Sequence, residues 1–253
     1  MVKFLRDTAI VFSREFTPEL RQPLGLIFSM TQPLLFMFLF GSLLGGVSGY
    51  GAASGSSWQS FAPGILIMMC LFGPMAAGHS LLVELIGGAT ERMMVTPLSR
   101  TAMLIGRAMK ESVILLAQAA LIVALALPLG FRLHPAGALA GLALLVVFGI
   151  GLSGLSFTLA IAAQPNGTLF WIVTQILTYP LLLLSGVLLP IEYGPEWLRV
   201  IAKLNPIAYL VNAERALFAG ELADLSALYG LIAACAVAAL GLSLGTRAMR
   251  RGI

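Results

Sequence analysis

Long stretches of this chain contain no charged residue, and they restrict the fold more than any other feature of the sequence. Asp, Glu, Lys and Arg are absent from residues 22–83, 112–131, 133–191 and 225–246. A helix needs about 20 apolar residues to cross a bilayer, so every run can hold at least one span. Only 10% of the residues are charged, whereas soluble domains contain about 25%. The chain is therefore predicted to be an all-α membrane protein.

Polar interruptions divide the longest runs into separate spans. The Gly/Ser-rich segment 45–60 breaks the first run, and the turn-forming sequence Pro165-Asn166-Gly167 breaks the third. The sequence thus predicts six transmembrane helices, at residues 24–44, 61–84, 108–130, 136–162, 168–190 and 225–246.

The positions of the basic residues predict the orientation of these helices. With both termini inside, eleven of the fifteen Lys and Arg residues lie on the cytoplasmic side and four on the outer side. Because cytoplasmic loops carry an excess of Lys and Arg, an N-in, C-in arrangement is expected.

The N-terminal residues 3–16 have the periodicity of an amphipathic helix. At 100° per residue, its apolar face consists of Leu5, Ala9, Phe12 and Phe16, and its polar face of Lys3, Asp7 and Arg14. Such a helix is expected to lie in the cytoplasmic membrane interface. Pro18 and Pro23 argue against a simple continuation into the first span.

An external segment at residues 195–220 contains two short helical patterns. They are separated at Asn205-Pro206, because Asn is a good N-cap and Pro is favoured at the first helical position. Trp197 and Tyr209 are typical of a membrane–water boundary. The segment fits either a re-entrant hairpin in the outer leaflet or a pair of helices lying on the surface.

The sequence lacks the motifs of several common catalytic and nucleic-acid-binding sites. It contains no phosphate-binding G-x-x-x-x-G-K-S/T loop and no H-E-x-x-H zinc motif. No Lys/Arg run alternates with aromatic residues, so no nucleic-acid partner is expected. GLSLG at 241–245 matches the G-x-S-x-G nucleophile motif, which makes an intramembrane serine protease using Ser243 one alternative. A membrane scaffold without transport activity is another.

The predicted spans contain neutral polar residues and no Asp, Glu, Lys or Arg at mid-membrane depth. A carrier driven by a proton gradient is therefore disfavoured, because such carriers place ionisable groups at depth. Two groups of polar residues are candidates for lining a path for an uncharged or amphiphilic molecule: Gln32, and Thr174 with Gln175 and Thr178. Alternatively, these side chains only join neighbouring helices. Gly241 and Gly245 permit close helix contact, either within one subunit or between subunits.

Three segments resemble the type-2 permeases of ABC transporters. They are ELIGGATERMMVTPLSR (84–100), LLLSGVLLPIEYGPEWLRVIAKLNP (182–206) and LNPIAYLVNAERALFAGEL (204–222). The resemblance covers nearly the whole chain and points to the daunorubicin-resistance branch of drug exporters, with the nodulation lipo-oligosaccharide exporters as near relatives. Within these segments, T-P-L-S-R and N-P-x-x-Y are the elements specific for the family.

The resemblance implies one permease domain, residues 1–253, with defined parts. These would be a cytoplasmic amphipathic helix (1–21), spans one and two (22–86), a coupling helix (87–100), spans three to five (101–190), an external helical hairpin (191–224), and span six with a cytoplasmic tail (225–253). The residues of the coupling helix that would contact an ATPase are Glu91, Arg92, Met93, Met94, Thr96, Pro97, Leu98 and Arg100. Arg6 and Arg14 would form a second contact with that partner.

The function implied by the resemblance is that of the membrane subunit of an ATP-driven exporter for a hydrophobic or amphiphilic drug, lipid or glycolipid. The chain would be non-catalytic and hold no cofactor, since ATP and Mg²⁺ would bind separate ATPase subunits. A homodimer, or a pair of like permeases, would sit above two ATPase subunits in the bacterial cytoplasmic membrane, in contact with its lipid. The external hairpin would close the exit of a central path lined by spans one, two and five.

The predicted orientation can be tested by cysteine labelling after replacement of the two native cysteines by alanine. A cysteine at Ser56 or Gly194 should react with an impermeant reagent in intact cells, and one at Ala89 or Arg250 should react only after lysis. The expectation follows from the excess of Lys and Arg in the tails and loops that are predicted to be cytoplasmic. Equal labelling of both groups in intact cells would contradict it.

Overall fold

The computed structural model describes residues 2–21, 23–45, 57–88, 99–187, 191 and 194–251. Within these ranges the chain forms nine α-helices and contains no β-strand. The helices are α1 (Val2–Arg21), α2 (Pro23–Gly45), α3 (Ser57–Ile86), α4 (Arg100–Ala126), α5 (Pro135–Ala162), α6 (Gly167–Leu183), α7 (Glu196–Ala202), α8 (Pro206–Ala219) and α9 (Leu225–Arg251). The all-α prediction is confirmed for this part of the chain.

Four helices are long and apolar enough to cross a membrane. Their apolar stretches are Phe61–Ile86 in α3, Thr101–Leu129 in and after α4, Pro135–Ala162 in α5, and Leu225–Met249 in α9. Two shorter apolar stretches, Ile27–Leu43 in α2 and Gly167–Leu183 in α6, lie where the first and fifth spans are predicted. Seventeen helical residues extend about 26 Å, slightly less than the ~30 Å hydrocarbon core of a bilayer.

Two of the predicted span boundaries are wrong by about two turns of helix. The fourth helix begins at Arg100 rather than near 108, because the Ser99 hydroxyl accepts a hydrogen bond from the Ala102 amide at 3.1 Å and caps it. The sixth ends at Leu183 rather than near 190. Gly186, at φ 75°, lies in the turn that follows, in the left-handed region that favours glycine.

The N-terminal helix is longer and less simply two-sided than predicted. It runs through Pro18 to Arg21 and packs along α4. The prediction that Asp7 belongs to an open polar face is wrong: Asp7 is buried, and its carboxylate accepts a hydrogen bond from the Ser99 amide at 3.3 Å. Next to it, Val11 packs against Gly106 of α4. Helix α1 thus has a third face, which packs against α4 and which helical periodicity alone does not show.

The most extensive helix contact joins α5 and α9 through glycines. A Cβ atom on Gly241 would overlap the carbonyl oxygen of Gly151, and one on Gly245 would lie 3.1 Å from the carbonyl oxygen of Gly154. Small residues allow helix backbones to approach closely in a membrane. The glycines of the GLSLG motif therefore serve packing within one subunit.

Of the two hairpin helices, α8 packs into one end of the bundle. The Asn205 side chain accepts from the Ile207 amide at 3.0 Å, which confirms the predicted cap, and donates to the Leu181 carbonyl at 2.7 Å. Helix α8 packs against α3, α5 and α9, and its residues Leu210, Val211 and Phe218 are fully buried. This burial places α8 inside the bundle, whereas most residues of α7 are exposed.

The glycine contact between α5 and α9 predicts that a larger side chain there lowers the free energy of unfolding, whereas one at an open position does not. Gly151→Leu should lower the free energy of unfolding by about 1–3 kcal/mol, because overpacking forces backbones apart; a Cβ there would already lie 2.6 Å from the Ala238 nitrogen. Gly73→Leu is the matched control, since nothing lies within 4 Å of its Cβ position. Thermal unfolding of the purified proteins measures both, and equal midpoints would contradict the packing role.

Candidate functional site

A buried cation joins three helices at the end of the bundle where α3 ends and α4 begins. Arg107 of α4 is 4% exposed. Its guanidinium contacts the carboxylate of Glu84 in α3 and lies 3.2 Å from that of Glu15 in α1. A buried charge is tolerated only when it is paired. Arg107 therefore fixes the position of α1 relative to the two spans.

A second ion-pair group lies one turn further along α4. The Lys110 ammonium is 2.8 Å from the Glu111 carboxylate and 3.3 Å from that of Glu19 near the end of α1. One ammonium is thus shared by two carboxylates. Like Arg107, this group attaches α1 to α4.

A cavity of about 520 Å³ opens beside this second group. Its wall is formed by residues of α1, α2, α3 and α4 and by Gly149 of α5. The apolar part of the lining includes Phe28, Met69, Phe72, Ile114 and Leu115, and the polar part includes Ser29, Gln32, Ser80, Ser112 and Gln118. This volume falls within the range of about 300–1,000 Å³ that small-molecule sites occupy.

The cavity contains one of the four predicted pathway residues. Gln32 lines it, whereas Thr174, Gln175 and Thr178 of α6 do not. Thr178 is buried and donates hydrogen bonds to the Thr174 carbonyl at 2.8 Å and to the Met75 sulfur at 2.9 Å. Gln175 is exposed on another face of α6. Thr178 thus contacts α3 through Met75, a contact of the helix-joining kind, and the pathway role of these residues stays a prediction.

The predicted ATPase contacts lie largely outside the described residues. This applies to Glu91, Arg92, Met93, Met94, Thr96, Pro97 and Leu98, and to the side chain of Arg100, whose backbone begins α4. Both ends of the segment are described: Gly87 and Gly88 form a turn after α3, and Ser99 caps α4. Arg6 and Arg14 are exposed on α1. This helix contacts Ser99 after the segment and, through Arg107, Glu84 before it.

One ionisable residue outside the predicted spans is buried in the helical core. Glu214 of α8 is fully buried, and neither of its carboxylate oxygens has a hydrogen-bond partner among the described residues. It fits beside Gly141 of α5, where a Cβ atom would lie 2.6 Å from one carboxylate oxygen. Burial raises the pKa of Glu214 to about 8. The helical spacing from Leu210 to Glu214 to Phe218 was the sequence signal for this inward position.

The structure gives no support to the serine protease alternative. Ser243 lies within the regular helix α9, and its hydroxyl donates to the carbonyl of Leu240 at 3.0 Å. A nucleophile of this motif requires a strained turn and a base. Both histidines pack elsewhere: His79 against Phe170 and Trp171, and His134 near the Phe218 carbonyl. Among the described residues, no group of three His, Cys, Asp or Glu could hold a metal ion.

The fold defines a polytopic helical membrane protein with a cavity between its helices. The chain belongs to the ABC-2 type transporter family, whose model matches residues 6–219, and it is therefore a membrane transport subunit.

Three relatives illustrate the range of the family. The putative transport permease ycf38 of Cyanophora paradoxa is 30% identical over 218 residues, covering 85% of this chain and 75% of the relative. The daunorubicin resistance ABC transporter permease protein DrrB1 of Streptomyces coeruleorubidus is 28% identical, covering 78% and 70%. The probable doxorubicin resistance ABC transporter permease protein DrrC of Mycobacterium tuberculosis is 23% identical, covering 96% and 89%.

The buried carboxyl of Glu214 predicts a specific dependence of stability on pH. An unfolded glutamate ionises above about pH 4.3, whereas the folded one keeps its proton to about pH 8. Stability should therefore fall as pH rises between these values, by up to about 1.4 kcal/mol per pH unit.

The Glu214→Gln variant should lack this component, because an amide does not titrate. Thermal unfolding midpoints from pH 5 to pH 8.5 would show a steeper fall for the wild type than for Glu214→Gln. Glu221→Gln, which alters an exposed carboxyl in the next loop, is the control and should keep the wild-type slope. Identical slopes for all three proteins would contradict the assignment.

Proposed function

We propose that this chain is the permease subunit of an ATP-driven exporter that moves a hydrophobic or amphiphilic molecule outward. Separate ATPase subunits supply ATP hydrolysis with Mg²⁺, and the permease works as a homodimer or with a like permease. All six apolar helices cross the membrane with both termini inside, in the cytoplasmic membrane of a bacterium. Membership of the ABC-2 family and the drug-resistance names of two relatives support this proposal.

The observation that carries the proposal is the contact of α1 with the residues on either side of segment 89–98. Asp7 binds the Ser99 amide at one end of that segment, and Glu15 shares Arg107 with Glu84, close to its other end. A soluble partner that pushes on the segment and on α1 would act on a single connected unit. Through Arg107 a displacement would pass into both α3 and α4.

At the opposite end of the bundle, α3 is hydrogen-bonded to the hairpin. Gln59, in the first turn of α3, donates to the Phe218 carbonyl at 2.9 Å, and Arg215 donates to the Gly186 carbonyl at 2.8 Å. Because α3 contacts the hairpin at one end and Arg107 at the other, movement of α3 would reach both. We infer that α7–α8 closes the exit and that α3 links it to the ATPase side.

The coupling role of segment 87–100 is tested by Met94→Asp and Glu91→Arg. Each should leave membrane abundance near normal and reduce co-purification of the ATPase by about tenfold or more, since a change in a central interface residue costs ~2 kcal/mol. Substrate-stimulated ATP hydrolysis should fall in parallel.

Two controls make this result interpretable. Met94→Leu keeps apolar contact and should retain coupling, and Glu221→Lys alters an exposed acid in a distant loop. Wild-type transport by Met94→Asp at matched abundance would mean that the segment is an ordinary loop. Absence of transport by the wild type with its ATPase would favour the scaffold alternative.

A further inference from the structure

A groove of about 390 Å³ lies between α5, α8 and α9, apart from the cavity beside Lys110. Its walls include Leu144 of α5, Leu217 of α8, and Leu228 and Leu231 of α9. Among the described residues that line it, none belongs to α2, α3 or α6. This α5–α9 groove is therefore separate from the central path that spans one, two and five are implied to form.

The groove opens on a surface that lipid covers. Helices α5 and α9 are both long and apolar enough to cross a membrane. Only 17% of the most apolar stretch of α9 is buried within the protein, whereas the corresponding share for α3 is 67%. Leu139 of α5 and Ile232 of α9, each next to a lining residue in sequence, are exposed. Since lipid tails are the solvent of such a surface, a hydrocarbon chain fits this groove.

The groove is polar at one end and apolar along the rest. The lining positions Asp224, Ala227, Leu228 and Leu231 follow the i, i+3, i+4, i+7 spacing of one helix face. At 1.5 Å per residue, this face extends about 10 Å from the carboxylate into the apolar part. A headgroup at Asp224 with an acyl chain along the leucines has the same polarity.

The polar end of the groove is acidic and already ordered. Asp224 is the one charged residue among the described residues of the lining, and the exposed acid Glu221 precedes it in the same loop. One Asp224 oxygen accepts from the Ser226 amide at 3.1 Å and caps α9, which leaves the second oxygen to accept from an outside donor. An ammonium group would form a charge-assisted hydrogen bond there, whereas a headgroup of net negative charge would be repelled.

We propose that the α5–α9 groove binds phosphatidylethanolamine, a phospholipid with a primary amine in its headgroup. The ammonium group donates to the Asp224 carboxylate, and one acyl chain lies along α9 towards Leu231. Because Leu217 of α8 forms part of the wall, the bound lipid also contacts the hairpin. Binding requires neither an ATPase nor transport, so the proposal does not rest on the proposed function.

The first test compares headgroups on identical acyl chains. Phosphatidylethanolamine, phosphatidylcholine or phosphatidylglycerol is added to the purified permease in detergent, and native mass spectrometry counts the lipids bound per chain. Phosphatidylethanolamine should bind about tenfold more tightly than phosphatidylcholine, because choline has no N–H group to donate, and phosphatidylglycerol should bind most weakly. Equal affinity for the first two, or a preference for phosphatidylglycerol, would overturn the proposal.

A charge variant assigns the headgroup contact. Asp224→Asn removes the charge and keeps the cap, since Asn and Asp cap helices equally well, so it should lose the preference for phosphatidylethanolamine over phosphatidylcholine. Glu221→Gln, which alters the exposed acid outside the lining, is the control and should keep that preference. A preference that survives in Asp224→Asn, or that both variants lose, contradicts the contact.

A groove-filling variant locates the acyl chain. Ala227→Phe narrows the groove and should weaken phosphatidylethanolamine binding by about tenfold. Ala236→Phe is the matched control, because Ala236 is exposed on the same helix and lies outside the lining. Wild-type affinity in Ala227→Phe would place the lipid elsewhere on the protein and refute the assignment.

A second variant avoids added bulk, because Ala227 also packs against the hydrophobic core. Leu228→Asn places an amide against the acyl chain and should weaken binding, since an unpaired amide in an apolar environment is unfavourable. Leu240→Asn changes a similarly exposed leucine of α9 outside the groove and should bind as the wild type does. Loss of binding in both variants, or in neither, would argue against a specific site.

The same spectra test a second copy of the chain as the other possible occupant. The mass of each complex gives the number of permease chains in it, and Ala227→Phe and Leu228→Asn should leave that number unchanged. A change in these two variants that is absent from Ala236→Phe and Leu240→Asn would identify the groove as a contact between copies. That result would overturn the lipid assignment.

Discussion

The sharing of Arg107 between Glu15 and Glu84 is the contact on which the arrangement at this end of the molecule depends. A guanidinium with so little exposure has no water to replace a lost partner, so removing either carboxylate would leave an uncompensated charge. Such pairs add little net stability compared with apolar packing, but they specify which helices meet and in which register. Here they define how α1 lies against α3 and α4.

Elsewhere in the bundle, helix packing depends on small residues instead of charged ones. Where glycines face each other, two helix backbones can come into close contact. Helices α5 and α9 meet at Gly151 and Gly241, and lipid provides no hydrophobic force to bring them together. Close packing and backbone contacts supply the attraction instead. Ion pairs thus position the helices at one end of the bundle, and close packing of glycines positions α5 and α9.

A feature of the fold or of the cavity could be predicted from the sequence when neighbouring residues in the chain determine it. The charge-free runs, the turn at Pro165 and the cap at Asn205 are local, and each predicted an observed helix or boundary. The burial of Asp7 arises from contact with a helix more than ninety residues away, and no periodicity within α1 reports it. The cavity likewise exists only where four helices meet, so the sequence indicated Gln32 and missed its neighbours Gln118 and Lys110.

Glu214 shows how the core of a helical bundle can hold an acid. The carboxyl has no partner among the described side chains, and burial raises its pKa, so it enters the core as a neutral group. Gly141 provides the space. The neutral form can lie in a core without a partner, whereas the ionised form would need one.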